Sequence, residues 1–118
     1  MSLSVVCDLE AALSALEGDR ELLAGMIRVF LMESPALLEE TREAVAREDA
    51  LALERSAHTL RGGVANFAAP TAYDAAARLE QIGRAGEWTG AAAAQAQLER
   101  EMERLVDVLI GFGRADLR

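Results

Sequence analysis

Apolar residues recur along the chain at three- and four-residue spacings, the mark of helices that each bury one face. Leu9, Leu13 and Leu16 set out a short first helix that Asp8 can cap and Gly18 ends. Asp19 can cap the next, whose stripe runs through Leu23, Met26, Ile27, Phe30, Leu37, Leu38, Thr41 and Val45. Ser34-Pro35 falls inside that stripe. Proline lacks an N–H and crowds the preceding turn, so a kink, or a break and restart, is expected there. Asp49 opens a third segment with Leu53, Ala57, Leu60, Val64 and Phe67 on its inner face, ending near Asn66 to Ala68. Pro70 suits the first turn of a helix carrying Tyr73, Ala76, Ala77, Leu79, Glu80 and Ile82, with Gly83 and Gly86 marking its end. Glu87 to Gly90 reads as a turn, in which Trp88, like Phe67, serves packing. The last helix turns Leu98, Met102, Leu105, Val106, Leu109 and Phe112 inward. Long helices joined by short loops lie antiparallel. The pattern predicts an all-α fold: an antiparallel four-helix bundle with a short N-terminal helix capping one end.

Composition agrees with this and narrows the class. The 118 residues fit one domain, and 52% hydrophobic content is enough for a core. Aromatics are only 4%, so that core is aliphatic, and abundant alanine favours helix. Every basic residue is arginine, a bias that suggests a GC-rich genome. The net charge of −8 argues against nucleic acid, whose phosphates demand basic patches. One cysteine, Cys7, cannot form an internal disulfide, which points to a reducing, cytoplasmic setting. No apolar run approaches the ~20 residues of a membrane helix, so no membrane contact is expected of this domain. Residues 1–7 are expected to be flexible or in part vector-derived, beginning with Met1-Ser2-Leu3.

The chemistry gathers at the single histidine, His58. At ~100° per residue it lies roughly 130° from the middle of its helix's apolar face, so it points outward or to the rim. Arg61 stands at i+3, and Gly62 one turn later on the same side. A glycine inside a helix costs about 1 kcal/mol against alanine, and here it removes bulk beside the imidazole. One histidine, a distant cysteine and scattered carboxylates do not make a zinc ligand set. No strained serine turn offers a hydrolase triad. Gly62-Gly63 lacks the spacing and the lysine of a phosphate-binding loop, so no ATP binding or self-phosphorylation is expected. An exposed histidine, a flanking guanidinium and a cleared surface suit uptake of a phosphoryl group from a large partner.

His58-Thr59-Leu60-Arg61-Gly62 resembles the His-x-Leu-Lys-Gly signature of histidine-containing phosphotransfer (HPt) domains of bacterial phosphorelays. Asp8 to Leu13, Gly18 to Leu23 and Phe30 are similar to that family's opening helices, and Leu79-Glu80 to its later helix. The resemblance implies a phosphoryl carrier, with His58 accepting from an aspartyl phosphate on a response-regulator receiver domain and passing the group to another receiver. It implies no cofactor of its own, Mg²⁺ being expected on the receiver, and a monomer. The native chain is then either a stand-alone protein or part of a hybrid sensor kinase. Arg61 either holds a phosphoryl oxygen or is an ordinary surface or paired arginine. Gly62 and Arg84 would lie on the docking surface, Arg84 otherwise being a plain surface charge. The family commonly has Gly at the position of Ala68, so the turn here is expected to differ, with Asn66 taking the left-handed role. Glu80 lies 22 residues beyond His58. Across an antiparallel pair the two fall at similar heights, so Glu80 can accept the Nδ1 proton and leave Nε2 for the phosphoryl group. Two other readings stand beside this one: the phosphoacceptor domain of a chemotaxis-type kinase, and a non-catalytic helical interaction module.

Overall fold

The computed structural model describes residues 6–116, with side chains through residue 112. Five helices follow in order: α1 (Leu9–Ala15), α2 (Arg20–Arg47), α3 (Ala50–Ala65), α4 (Pro70–Ala85) and α5 (Ala91–Asp116). Helix α2 touches α3 and α5, and α4 touches α3 and α5, which closes α2 to α5 into a four-helix bundle. Helix α2 has 28 residues, about 42 Å at ~1.5 Å per residue, close to the 45 Å long axis of the molecule. None of the described helices is long and apolar enough to cross a membrane.

The first three helices begin as their aspartates dictate. Asp8, Asp19 and Asp49 accept from the backbone N–H groups of Ala11, Leu22 and Ala52 at 3.0, 3.0 and 3.1 Å. Helix α4 has no side-chain cap, and Pro70 at its start has no N–H to satisfy. The apolar stripes meet in one core. Leu23 and Ile27 of α2, Leu53, Ala57, Leu60 and Val64 of α3, Leu79 of α4 and Leu98, Met102, Leu105 and Leu109 of α5 are all buried. Phe30 and Phe67 meet edge to face at 5.2 Å.

Three expectations are corrected. The break and restart expected at Pro35 does not occur, since α2 is one helix from Arg20 to Arg47 with Pro35 inside it. Proline forfeits one hydrogen bond, but Ser34 before it and Thr41 beyond it are buried, so packing on both sides holds the helix together. Gly83 does not end α4; it is buried inside it, against α3. A Cβ there would stand 2.7 Å from the Glu54 nitrogen and 2.9 Å from the Ala50 oxygen, so glycine is what lets the backbones of α3 and α4 approach. After α3, Asn66 stays right-handed, and Ala68 takes the left-handed conformation at φ 49°. The Ala68 carbonyl accepts the Asp8 N–H at 2.9 Å, which ties the base of α1 to this turn. Of the segment expected to be loose, residues 1–5 lie outside the described residues, while Cys7 is buried in the core with Val6 packed against it.

Candidate functional site

Helix α3 packs more extensively against α4 than against any other element, and the seam between them carries the polar residues. Glu54, His58 and Arg61 follow at four- and three-residue steps along the outer edge of α3. Tyr73, Glu80 and Arg84 lie at seven- and four-residue steps along the facing edge of α4. Because the helices run antiparallel, the stripes pair in reverse order: Glu54 with Arg84, His58 and Arg61 with Glu80, and Arg61 with Tyr73.

Glu80 is the hub. Its side chain is 5% exposed, and a buried carboxylate needs partners. Its Oε1 accepts from Arg61 Nε at 2.5 Å, and its Oε2 from Arg84 Nη2 at 2.9 Å. His58 Nδ1 lies 2.9 Å from the same Oε2. The hydrogen bond from Arg61 is the main influence holding the Glu80 pKa below its ordinary value; burial works against it, and His58 adds to it. Glu80 is therefore an anion at neutral pH, and the Nδ1 proton of the imidazole has an acceptor waiting.

His58 itself is open, with 64% of its side chain exposed. With Nδ1 turned to Glu80, Nε2 is the nitrogen that faces solution, and no described residue hydrogen-bonds it. Leu51, Arg55 and Thr59 line the shallow hollow around the ring. Gly62, one turn on, is exposed, and a Cβ there would meet no atom within 4 Å. Its missing side chain leaves open surface, whereas that of Gly63 makes room for Phe30, 3.1 Å from where a Cβ would be.

The structure thus brings His58, Arg61, Glu80 and Arg84 together and leaves Gly62 on the open face beside them. Arg61 and Arg84 are both engaged. Arg61 also donates Nη1 to the Tyr73 hydroxyl at 2.9 Å, with its guanidinium carbon 5.5 Å from the Tyr73 ring centre. Arg84 spans Glu54, at 2.9 Å, and Glu80, so it braces the seam instead of standing as a loose surface charge. Sequence reasoning missed Tyr73 and Glu54. The sequence names Tyr73 only as one residue carried by α4. Its place two turns before Glu80, on the same edge of α4, was the signal that could have found it.

The Hpt domain family model matches residues 25–108, which takes in every residue of this seam. The chain belongs to the Hpt domain family. An Hpt domain is a phosphotransfer carrier of phosphorelays, and that is the function of this chain. The fold agrees. The crystal structure of histidine-containing phosphotransfer protein B (HptB) from Pseudomonas aeruginosa PAO1 is similar to this chain with a TM-score of 0.85 at 25% sequence identity, covering 93% of this chain and 96% of that one. No curated protein matches the chain.

Proposed function

We propose that His58 is the phosphoacceptor of this Hpt domain, and that it relays the group between aspartyl phosphates of response-regulator receiver domains. The observation that carries this is the division of labour on the imidazole, with Nδ1 2.9 Å from the buried Glu80 carboxylate on a ring that is otherwise open. Glu80 takes the Nδ1 proton's hydrogen bond, so the Nε2 lone pair points outward as the nucleophile. It attacks phosphorus in line, the Nε2–P bond forming as the aspartyl O–P bond breaks. The positive charge that develops on the ring is shared through Nδ1–H with Glu80. Mg²⁺ balances phosphate charge from the receiver's side, and this chain contributes no cofactor. Arg61, held by Glu80 and Tyr73, balances the charge of the carboxylate that orients the ring. Gly62 keeps the surface low enough for the receiver to reach the ring.

The chain does not phosphorylate itself in this reading, because Gly62-Gly63 lacks the length and the lysine of a nucleotide-binding loop. It works as a monomer in the cytoplasm, where Cys7 stays a thiol. Incubation with a phosphorylated receiver is expected to leave an acid-labile, base-stable phosphate on the chain. The His58→Gln variant should keep its helical content and lose that label. Labelling retained in the variant would overturn the assignment.

A further inference from the structure

We infer that Tyr73 is a positioning residue for phosphotransfer, acting through Arg61 on the tautomer of His58. The inference rests on His58 being the phosphoacceptor. Arg61 is a long side chain that would otherwise sample many rotamers. Here it is held at two corners of its guanidinium, Nε on Glu80 Oε1 at 2.5 Å and Nη1 on the Tyr73 hydroxyl at 2.9 Å. The ring of Tyr73 supports the same group at 5.5 Å. The third corner, Nη2, then stands 3.0 Å from His58 Nδ1 and 3.5 Å from Glu80 Oε2.

That placement sets up a contest at one atom. Nδ1 has a carboxylate oxygen at 2.9 Å and a guanidinium nitrogen at 3.0 Å. It can donate its proton to the carboxylate or accept one from the guanidinium, but not both. Donation leaves Nε2 with its lone pair and able to attack phosphorus. Acceptance puts the ring proton on Nε2 and leaves the outward nitrogen without a nucleophilic pair. The Tyr73 hydroxyl engages the side of the guanidinium away from the imidazole. It thereby satisfies Nη1 and, with Nε on Glu80 Oε1, fixes the guanidinium so that Nη2 stays shared between Nδ1 and Glu80 Oε2. Without the hydroxyl, Nη1 loses its partner and the guanidinium is free to turn about its remaining hold on Glu80, which lets Nη2 compete more fully for Nδ1. Tyr73 thus holds the ring in its reactive form without touching it.

The test is Tyr73→Phe, which removes one oxygen and keeps the ring over Arg61. His58 is the only histidine in the chain, so its two ring nitrogens can be read without ambiguity by ¹⁵N NMR of the unphosphorylated protein. The variant should shift population from the Nδ1–H toward the Nε2–H tautomer. Its phosphotransfer from a phosphorylated receiver should slow about tenfold, the weight of one hydrogen bond to a charged group, with receiver affinity and helical content unchanged. A wild-type tautomer ratio in Tyr73→Phe would overturn the inference, whatever the transfer rate. A shifted tautomer with a wild-type rate would overturn it too. If instead the wild-type protein took no phosphate on His58, the site assignment would fail by itself, and the tautomer comparison would still decide whether Tyr73 governs the ring.

Discussion

Glu80 concentrates the energetics of the site in one side chain. It is 5% exposed and holds two guanidiniums and an imidazole, so its removal affects both reactivity and stability. Glu80→Ala should slow phosphotransfer without abolishing it, because Nε2 keeps its exposure and loses only the group that selects its tautomer. Glu80→Gln should be milder, since the amide carbonyl still accepts from Nδ1. An unchanged imidazole tautomer in Glu80→Ala would show that the hydrogen bond does not act. The same residue predicts a pH dependence. The Arg61 hydrogen bond lowers the Glu80 pKa in the folded protein, so the unfolded chain takes up the proton first as pH falls. The stabilisation is therefore present above the unfolded value, about 4.3, and is lost as pH drops below it through the lower folded pKa. Wild-type stability should fall on acidification through this window, and Glu80→Gln should flatten that part of the curve in denaturant titrations at a series of pH values.

At the scale of elements, the glycines of α3 and α4 serve opposite purposes, and matched alanine substitutions separate them. Gly62 faces open space, so Gly62→Ala should leave stability equal or raise it by up to about 1 kcal/mol, the helix-propensity difference. Gly83 sits against the backbone of α3, where an added Cβ would meet Glu54 N at 2.7 Å. Gly83→Ala should cost about 1–3 kcal/mol, the usual range for overpacking, because neither backbone can move aside cheaply. Because α3 and α4 carry opposite halves of the site, forcing them apart should also lengthen the Glu80 to His58 contact and slow transfer. Equal melting temperatures for the two variants would contradict this account. The predicted helices, their aspartate caps and the inner face of α3 were legible in the sequence, since spacing and capping are local properties. The role of Gly83 was not, because a glycine near a helix end reads as a terminator until the neighbouring helix is placed. Pro35 misled for a related reason. Its local cost is real, but burial of Ser34 and Thr41 on either side outweighs it.

Across the whole molecule, the site lies on the side of the bundle, midway along α3 and α4, and not at a helix end. Phosphate cannot be gripped there by the free N–H groups of a helix N-terminus, and the chain has no glycine-rich phosphate loop. In the proposed reading the phosphoryl group arrives already activated on a partner that covers the exposed ring from the side. Purified protein incubated with Mg²⁺ and ATP alone should therefore remain unlabelled, while addition of a phosphorylated receiver should label it. Stoichiometric labelling by ATP would refute the carrier reading.

The sequence by itself determined the class of fold and the outward position of His58, because the period of an α-helix assigns every residue to a face without reference to anything beyond that helix. It also placed Glu80 near the height of His58, since chain length and helical rise are enough to align two antiparallel neighbours. The tertiary structure alone decided how far that carboxylate is buried, which of its oxygens each partner takes, and that Arg61 reaches across to Tyr73. It also moved the left-handed turn from Asn66 to Ala68, whose carbonyl meets the N–H of Asp8 from the far end of the α1–α2–α3 path. These outcomes depend on the separation and rotation of α3 against α4 and on contacts between distant parts of the chain. Periodicity leaves both undetermined, and packing sets them through such details as the missing side chain of Gly83.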